Sequence, residues 1–368
     1  MSKLLQKRRL LQERTFYSSE PIAYLLIEKF RLSPLPFGLV SIAISTGLAL
    51  LTAWVSDTLW SKPQQVGLLQ SLIPWIALIF FNPILLGYYL WSFQAINNLI
   101  QELKISNVIE TDNPEEIDLI ALNPYYQRWR RFIALGSAIS FSIFVFYTRF
   151  GLDKTWSGSG LLPNLVTTVG TFVIAYMGTV LVLNLITNIW VLHHILGKKK
   201  LNVNPLHPDR CGGLRSLSHY SLKTAYLAAV FGIWVGAVEY QFITQGSWRE
   251  NWFVHFIIPL YIVLSITCFF GPLFAAHNGM EKAKVEFLHQ IARQFQAAYS
   301  EIHICLTEDS ETLKQRTEKI QQLRTLYTMT DEFPVWPFDV QTFRRYLVTV
   351  PTPLIPPLIG LLQKFLVK

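Results

Sequence analysis

A chain of 368 residues in which 51% of side chains are hydrophobic and only 15% charged falls well short of the charge of an ordinary soluble domain, where about a quarter of residues ionise. Its net charge of +8 comes with no nucleic-acid recognition motif. Nucleic acid is therefore not an expected partner, whereas the bilayer and its anionic lipid head groups are.

In chain order, residues 1–36 form a basic arm with Lys3, Lys7, Arg8, Arg9, Arg14, Lys29 and Arg31. No small-residue cleavage pattern follows the first apolar run, so that run is expected to stay as an anchor. Six apolar stretches then follow: Phe37–Val55, Leu68–Phe93, Phe132–Phe150, Leu165–Leu192, Thr224–Phe242 and Trp252–Ala275. A hydrocarbon core of ~30 Å needs about 20 apolar residues of helix. None of the six shows the alternation of a barrel strand. The expected fold is all-α: a polytopic helical membrane protein with six transmembrane helices across 37–275. A helical hairpin at 276–345 and a Pro-rich segment at 346–368 complete it.

The basic residues sort by loop. The arm, the second loop (Lys104, Arg128, Arg130, Arg131), the fourth loop (Lys198, Lys199, Lys200, Arg210, Arg215, Lys223) and the C-terminal region are rich in them. The first, third and fifth loops are poor. The positive-inside rule then puts the N- and C-terminal regions in the cytoplasm of a multi-pass protein of the cell inner (plasma) membrane.

Polar residues inside the spans are the candidates for a pathway. Asn82-Pro83 interrupts the second span, and Asn184 and Asn188 lie together on the fourth. Each either lines a path or bonds helix to helix. Glu239 is the one carboxylate well inside a span. It is read either as the partner of His255 across a short outer turn or as a side chain reaching interfacial water. Ala228, Gly232 and Gly236 step by four along the same span, including a literal G-x-x-x-G that admits a close helix neighbour.

In the cytosolic parts, Ile96, Leu99, Ile100 and Leu103 continue the second span as an amphipathic helix. Tyr125 and Trp129 precede Arg130 and Arg131 and read as interfacial anchors. Val285, Leu288, Ala292, Phe295, Tyr299, Ile302 and Leu306 form a heptad-like seam. It closes either within the chain or between subunits of a homo-oligomer, or it receives a cytosolic partner. Four prolines, at 351, 353, 356 and 357, argue against a regular seventh helix. The segment 346–368 is therefore expected to lie in the interface or to dip in and return.

The fourth loop reads Leu206-His207-Pro208-Asp209-Arg210-Cys211-Gly212-Gly213-Leu214, and Trp336-Pro337-Phe338-Asp339 follows near the C-terminus. Together they resemble a broad group of prokaryotic multi-span membrane proteins that pair an H-P-D-x-x-G-G-L loop with a W-P-[FI]-D segment. The resemblance implies relatedness and no catalytic residue. His207, Asp209, Arg210, Gly212 and Gly213 mark a structured turn, a hinge or a ligand contact. Alternate residues in a loop lack the spacing of a metal site. The three cysteines, Cys211, Cys268 and Cys305, form no C-x-x-C pair. No catalytic or cofactor motif appears, so an enzyme ranks last. A channel- or transport-like protein moving ions or small solutes is the leading expectation. A membrane sensor or scaffold that binds a partner through its C-terminal hairpin is the alternative.

Overall fold

A computed structural model of the chain describes residues 15–63, 65–106, 108–109, 114–149, 155–198, 211–244, 256–304 and 310–366. Among them no strand occurs, and only two isolated bridges do. Six helices are long and apolar enough to cross a membrane. We number the helices α1 Pro34–Val55, α2 Leu72–Ile105, α3 Pro114–Leu122, α4 Trp129–Arg149, α5 Leu161–Lys198, α6 Arg215–Thr244, α7 Ile257–Ile304, α8 Ser310–Asp331, α9 Val340–Thr349 and α10 Ile355–Leu366. The all-α polytopic class expected from the sequence is the observed one.

Burial divides the spans. In the most apolar window of α1 only 17% of residues are buried, against 56% for α6. α1 and α4 turn Leu39, Ile44, Leu51, Phe132, Phe141 and Phe144 outward, as helices facing lipid do. α6 is enclosed by α2, α7, α9 and α10, and α5 by α1, α2, α4 and α7.

At 1.5 Å per residue, α5 is about 57 Å long and α7 about 72 Å, roughly twice a bilayer core. Both therefore project from the end of the bundle where the basic loops gather, here termed the basic end. There the expected amphipathic run of α2 is buried throughout: Ile96, Leu99, Ile100 and Leu103. They share a core with Ile117 and Ala121 of α3 and with Leu192, Ile195 and Leu196 of α5. At the far end, Trp156 packs with Leu68, Ala49 and Ala53 and closes the outer loops.

Asn82-Pro83 sits at the junction of two helix types. Pro83 has no N–H to donate. The chain takes it up through a π turn over Ala77–Phe81, the usual way a helix absorbs a local misfit. A Cβ added to Gly38 would stand 2.9 Å from the Pro83 carbonyl oxygen, so the break also brings α1 and α2 close.

Residues 15–32 of the basic arm pack on the basic end of the bundle, with Phe16 and Ala23 in the main core. One expectation for the chain ends is corrected: the Pro-rich segment does not lie flat. Trp336 stacks on His277, Tyr346 stacks on Phe269, and the Tyr261 hydroxyl donates to the Val350 carbonyl at 2.5 Å. Gly360 then meets Tyr240 and Ile243. The segment thus climbs α7 and α6 from the basic end to the far end, through the depth the other helices cross. The prolines break it into α9, a short 3-10 turn and α10 without expelling it.

What makes room is the predicted ridge. A Cβ on Gly232 would lie 2.5 Å from the Tyr261 ring, and one on Gly236 only 2.2 Å from the Pro353 carbonyl oxygen. Ala228 completes the ridge against Leu181, Leu185 and Cys268.

The hairpin forms within the chain. Ile291, Phe295 and Ala298 of α7 close on Ile320 and Leu323 of α8. Of the described residues of the seam read from the sequence, only Phe295 takes part. Val285, Ala292 and Tyr299 are exposed, and the buried residues are instead Ile291 and Ala298.

Two outcomes follow. Gly232→Leu and Gly236→Leu should each lower the melting temperature in detergent more than Leu227→Ala, since overpacking of this kind costs ~1–3 kcal/mol. Wild-type melting would show that the ridge faces lipid. Cysteine probes at Gln363 and Lys62 should label from the same side of the membrane and a probe at Arg324 from the other. Labelling of Gln363 together with Arg324 would overturn the climb of the C-terminal segment.

Candidate functional site

Charged and polar side chains collect where the N-terminal segment meets α2, α4 and α5. Glu20 caps the four-residue turn Pro21–Tyr24, accepting the Ala23 N–H at 2.6 Å. The Tyr176 hydroxyl of α5 donates to its Oε1 at 2.6 Å, and the Tyr89 hydroxyl of α2 donates to Oε2. The carboxylate is 5% exposed, so these three donors replace the water it gives up.

Beside it, Arg130 at the start of α4 is 7% exposed. Its Nη2 donates to Asn184 Oδ1 at 2.5 Å and its Nη1 to Thr187 Oγ1. Its guanidinium lies 5.0 Å above the Tyr125 ring, a cation–π contact. Among the described residues, no carboxylate pairs with it. Arg131 is exposed and donates twice to the Ser19 carbonyl, through Nε at 3.1 Å and through Nη2.

The network continues toward the basic end. Asn184 Nδ2 donates to Ser92 Oγ at 2.8 Å. Asn188 accepts from the Tyr125 hydroxyl and donates to Tyr220 Oη at 2.8 Å. α2, α4, α5 and α6 are thereby joined through two asparagines whose side chains are fully buried. Tyr176 lies eight residues, about 12 Å, up α5 from Asn184, where the helices are still apolar. A cavity of about 20 Å³ remains among Ser19, Glu20, Phe93, Tyr125, Arg130, Tyr176 and Asn184, with exposed Gln127 and Arg131 also lining it. That is room for about one water.

The sequence candidates fare unequally. Asn184 and Asn188 belong to this network, and Asn82 does not. Glu239 is buried at 1% exposure, so it is enclosed by the bundle and does not reach interfacial water. His255 lies outside the described residues, and with it the proposed pair. His207, Asp209 and Arg210 lie outside them too. Gly212 and Gly213 take φ of 66° and 90°, the left-handed region that favours glycine. They turn the chain into α6 behind buried Cys211 and Leu214.

Trp336-Pro337-Phe338-Asp339 anchors the C-terminal segment. The Trp336 ring stacks 4.1 Å from His277, and Asp339 caps α9 by accepting the Thr342 N–H at 2.7 Å. That cap, with the nearby charges of Arg215 and His219, holds the Asp339 carboxyl below its ordinary range. Asp339 of the second motif therefore lies near the start of α6, which follows Gly212 and Gly213 of the first. Among the described residues, no cluster of His, Cys, Asp and Glu has the geometry of a metal site.

Four members of the site escaped the sequence reading: Glu20, Tyr89, Arg130 and Tyr176. Tyr125 is core, 4% exposed, and not an interfacial anchor. The signal present was a carboxylate followed by proline, Glu20-Pro21, a helix-start pattern inside an otherwise basic arm. No family model matches this chain, and neither a curated protein nor a solved structure does.

Arg130 depends on Asn184 for an acceptor. Asn184→Leu should therefore cost about 1.5–3 kcal/mol, the range for a hydrogen bond to a charged group. In a double-mutant cycle read by melting in detergent, Arg130→Met should recover part of that loss. Strict additivity would show that the two side chains do not depend on one another.

Proposed function

We propose that this integral membrane protein is channel- or transport-like and moves ions or small solutes along a pathway closed at the basic end by its docked N-terminal segment. The observation that carries this reading is the buried group of Glu20, Arg130, Asn184, Tyr89 and Tyr176 around a water-sized cavity at the basic end of the spans. Ionised groups there are costly, and where they persist they mark substrate and ion routes. The basic loops favour the cytoplasm for the basic end. Exposed Arg128, Arg344 and Arg345 are suited to anionic head groups there.

A second reading, a sensor or scaffold, draws support from the hairpin. Tyr299, Leu326, Tyr327 and Met329 are exposed on it well beyond the apolar spans, a surface suited to a second copy or a cytosolic partner.

One preparation tests both readings. Purified protein in liposomes should pass a monovalent ion or small solute. Arg131→Ala, which removes two bonds to the N-terminal segment, should raise that flux several-fold. Absence of flux in both proteins would overturn the transport reading. The scaffold reading then requires an oligomeric mass or partner binding that is lost when Tyr299 and Met329 are changed to lysine.

A further inference from the structure

The cradle that holds Glu20 is made of donors. Two phenolic hydroxyls, on two different spanning helices, point their protons at one carboxylate. A third donor is the Ala23 amide, which belongs to the same N-terminal segment as the carboxylate itself. Tyr89 and Tyr176 belong to the spanning helices and not to that segment.

The charges around that point are unequal. Arg130 and Arg131 line the cavity with Glu20. Arg130 is satisfied by an asparagine oxygen, a threonine oxygen and an aromatic face, all neutral. Arg131 spends its guanidinium on a backbone carbonyl. Two cations thus line the cavity with one anion, and for buried Arg130 an uncompensated charge is expensive. Remove the Glu20 carboxylate and the site keeps two positive charges, two hydroxyl donors and no resident anion. A cation entering it meets repulsion. A neutral solute gains nothing from the guanidinium groups. The space, a cavity of about 20 Å³ plus the volume the carboxylate leaves, admits an ion of one or a few atoms and excludes a sugar or nucleotide.

We propose that the Tyr89–Tyr176 cradle is a binding site for a small monovalent anion such as a halide, and that Glu20 is the tethered carboxylate that fills it while the N-terminal segment is docked. The site names the substrate class of the transport reading, and it rests on that reading for what the anion does there but not for whether the anion binds. Glu20 competes with the anion for the same donors. The tether gives it a high effective concentration, so the wild-type site is occupied by Glu20 until the segment shifts. The docking contacts, Arg131 to the Ser19 carbonyl and Tyr126 to the Thr15 carbonyl at 2.9 Å, are hydrogen bonds to neutral groups. They can be released without separating an ion pair.

The test uses the full-length protein in detergent, with sodium bromide replacing sodium gluconate at constant ionic strength. A ligand that binds only the folded state raises its stability as occupancy grows. Glu20→Ala should show a saturable rise of a few degrees in melting temperature with bromide, and the wild type little or none. Adding Tyr89→Phe and Tyr176→Phe to Glu20→Ala should abolish the rise. Should Glu20→Ala fail to fold, Glu20→Gln keeps the side-chain volume and removes the charge. It should respond at several-fold lower bromide than the wild type. No bromide response in the Glu20 variants, or a response that survives loss of both hydroxyls, overturns the site. The same variants in liposomes separate the two claims. Bromide binding without anion flux would leave the site standing and defeat the transport reading, and flux without tyrosine-dependent binding would do the reverse.

Discussion

Every polar group carried to membrane depth must find its partner inside the protein, because hydrocarbon supplies none. The arrangement around Glu20 follows from that constraint. A carboxylate at this depth needs several donors, and no single helix carries them. The chain gathers them from the N-terminal turn, α2 and α5, and in doing so fixes where those elements stand. Arg130 meets the same demand with acceptors from α5 and an aromatic face from the turn before α4. Two separate solutions to one problem thus lie side by side. Each is made of neutral groups, so neither locks the other as a direct salt bridge would.

The C-terminal segment shows the constraint acting on backbone. Prolines at 351 and 353 withdraw N–H donors from the last carbonyls of α9. In a lipid-facing helix these oxygens would be stranded. One residue beyond α9, the Val350 carbonyl, which a tighter turn would have to pair with the missing N–H of Pro353, receives the Tyr261 hydroxyl. The bend this requires brings the Pro353 carbonyl onto α6, where only glycine leaves space. Proline, tyrosine and glycine on three different elements are thus one device. It lets a broken helix pass through the bundle beside α6, the most enclosed of the spans.

The division between what was legible in the sequence and what was not has the same cause. The six spans depend on composition over about 20 residues, and composition is local. Gly232 and Gly236 were legible as a contact ridge because a step of four puts them on one face. What they contact was not, because Tyr261 and Pro353 lie far along the chain. Prolines counted against a crossing for 346–368 because the rule describes an isolated helix, and the compensating hydroxyl sits about 90 residues earlier. Asn184 and Asn188 announced themselves as polar residues in apolar surroundings. Glu20 did not, since a carboxylate in a basic arm has an ordinary surface explanation. The bond between Tyr176 and Glu20 spans 156 residues, and no periodicity carries that information.

The location of the network bears on how it could move. The long helices α5 and α7 run through the bilayer and well beyond it, so the basic end is braced by a packed core of α2, α3 and α5 below the membrane surface. The N-terminal segment is inserted between that brace and the spans. It is held by one carboxylate, a few hydroxyl and carbonyl bonds, and apolar contacts: Phe16 and Ala23 are in the core, with Tyr17, Leu26, Ile27 and Leu32 packed against it. Opening a route past it therefore requires no separation of transmembrane helices, whose contacts are extensive and apolar. It requires exchange of the donors around Glu20 and release of the apolar contacts of Phe16 and Ala23. On the transport reading we propose, a closed state built this way would open through polar and segment contacts and not through the contacts between spans.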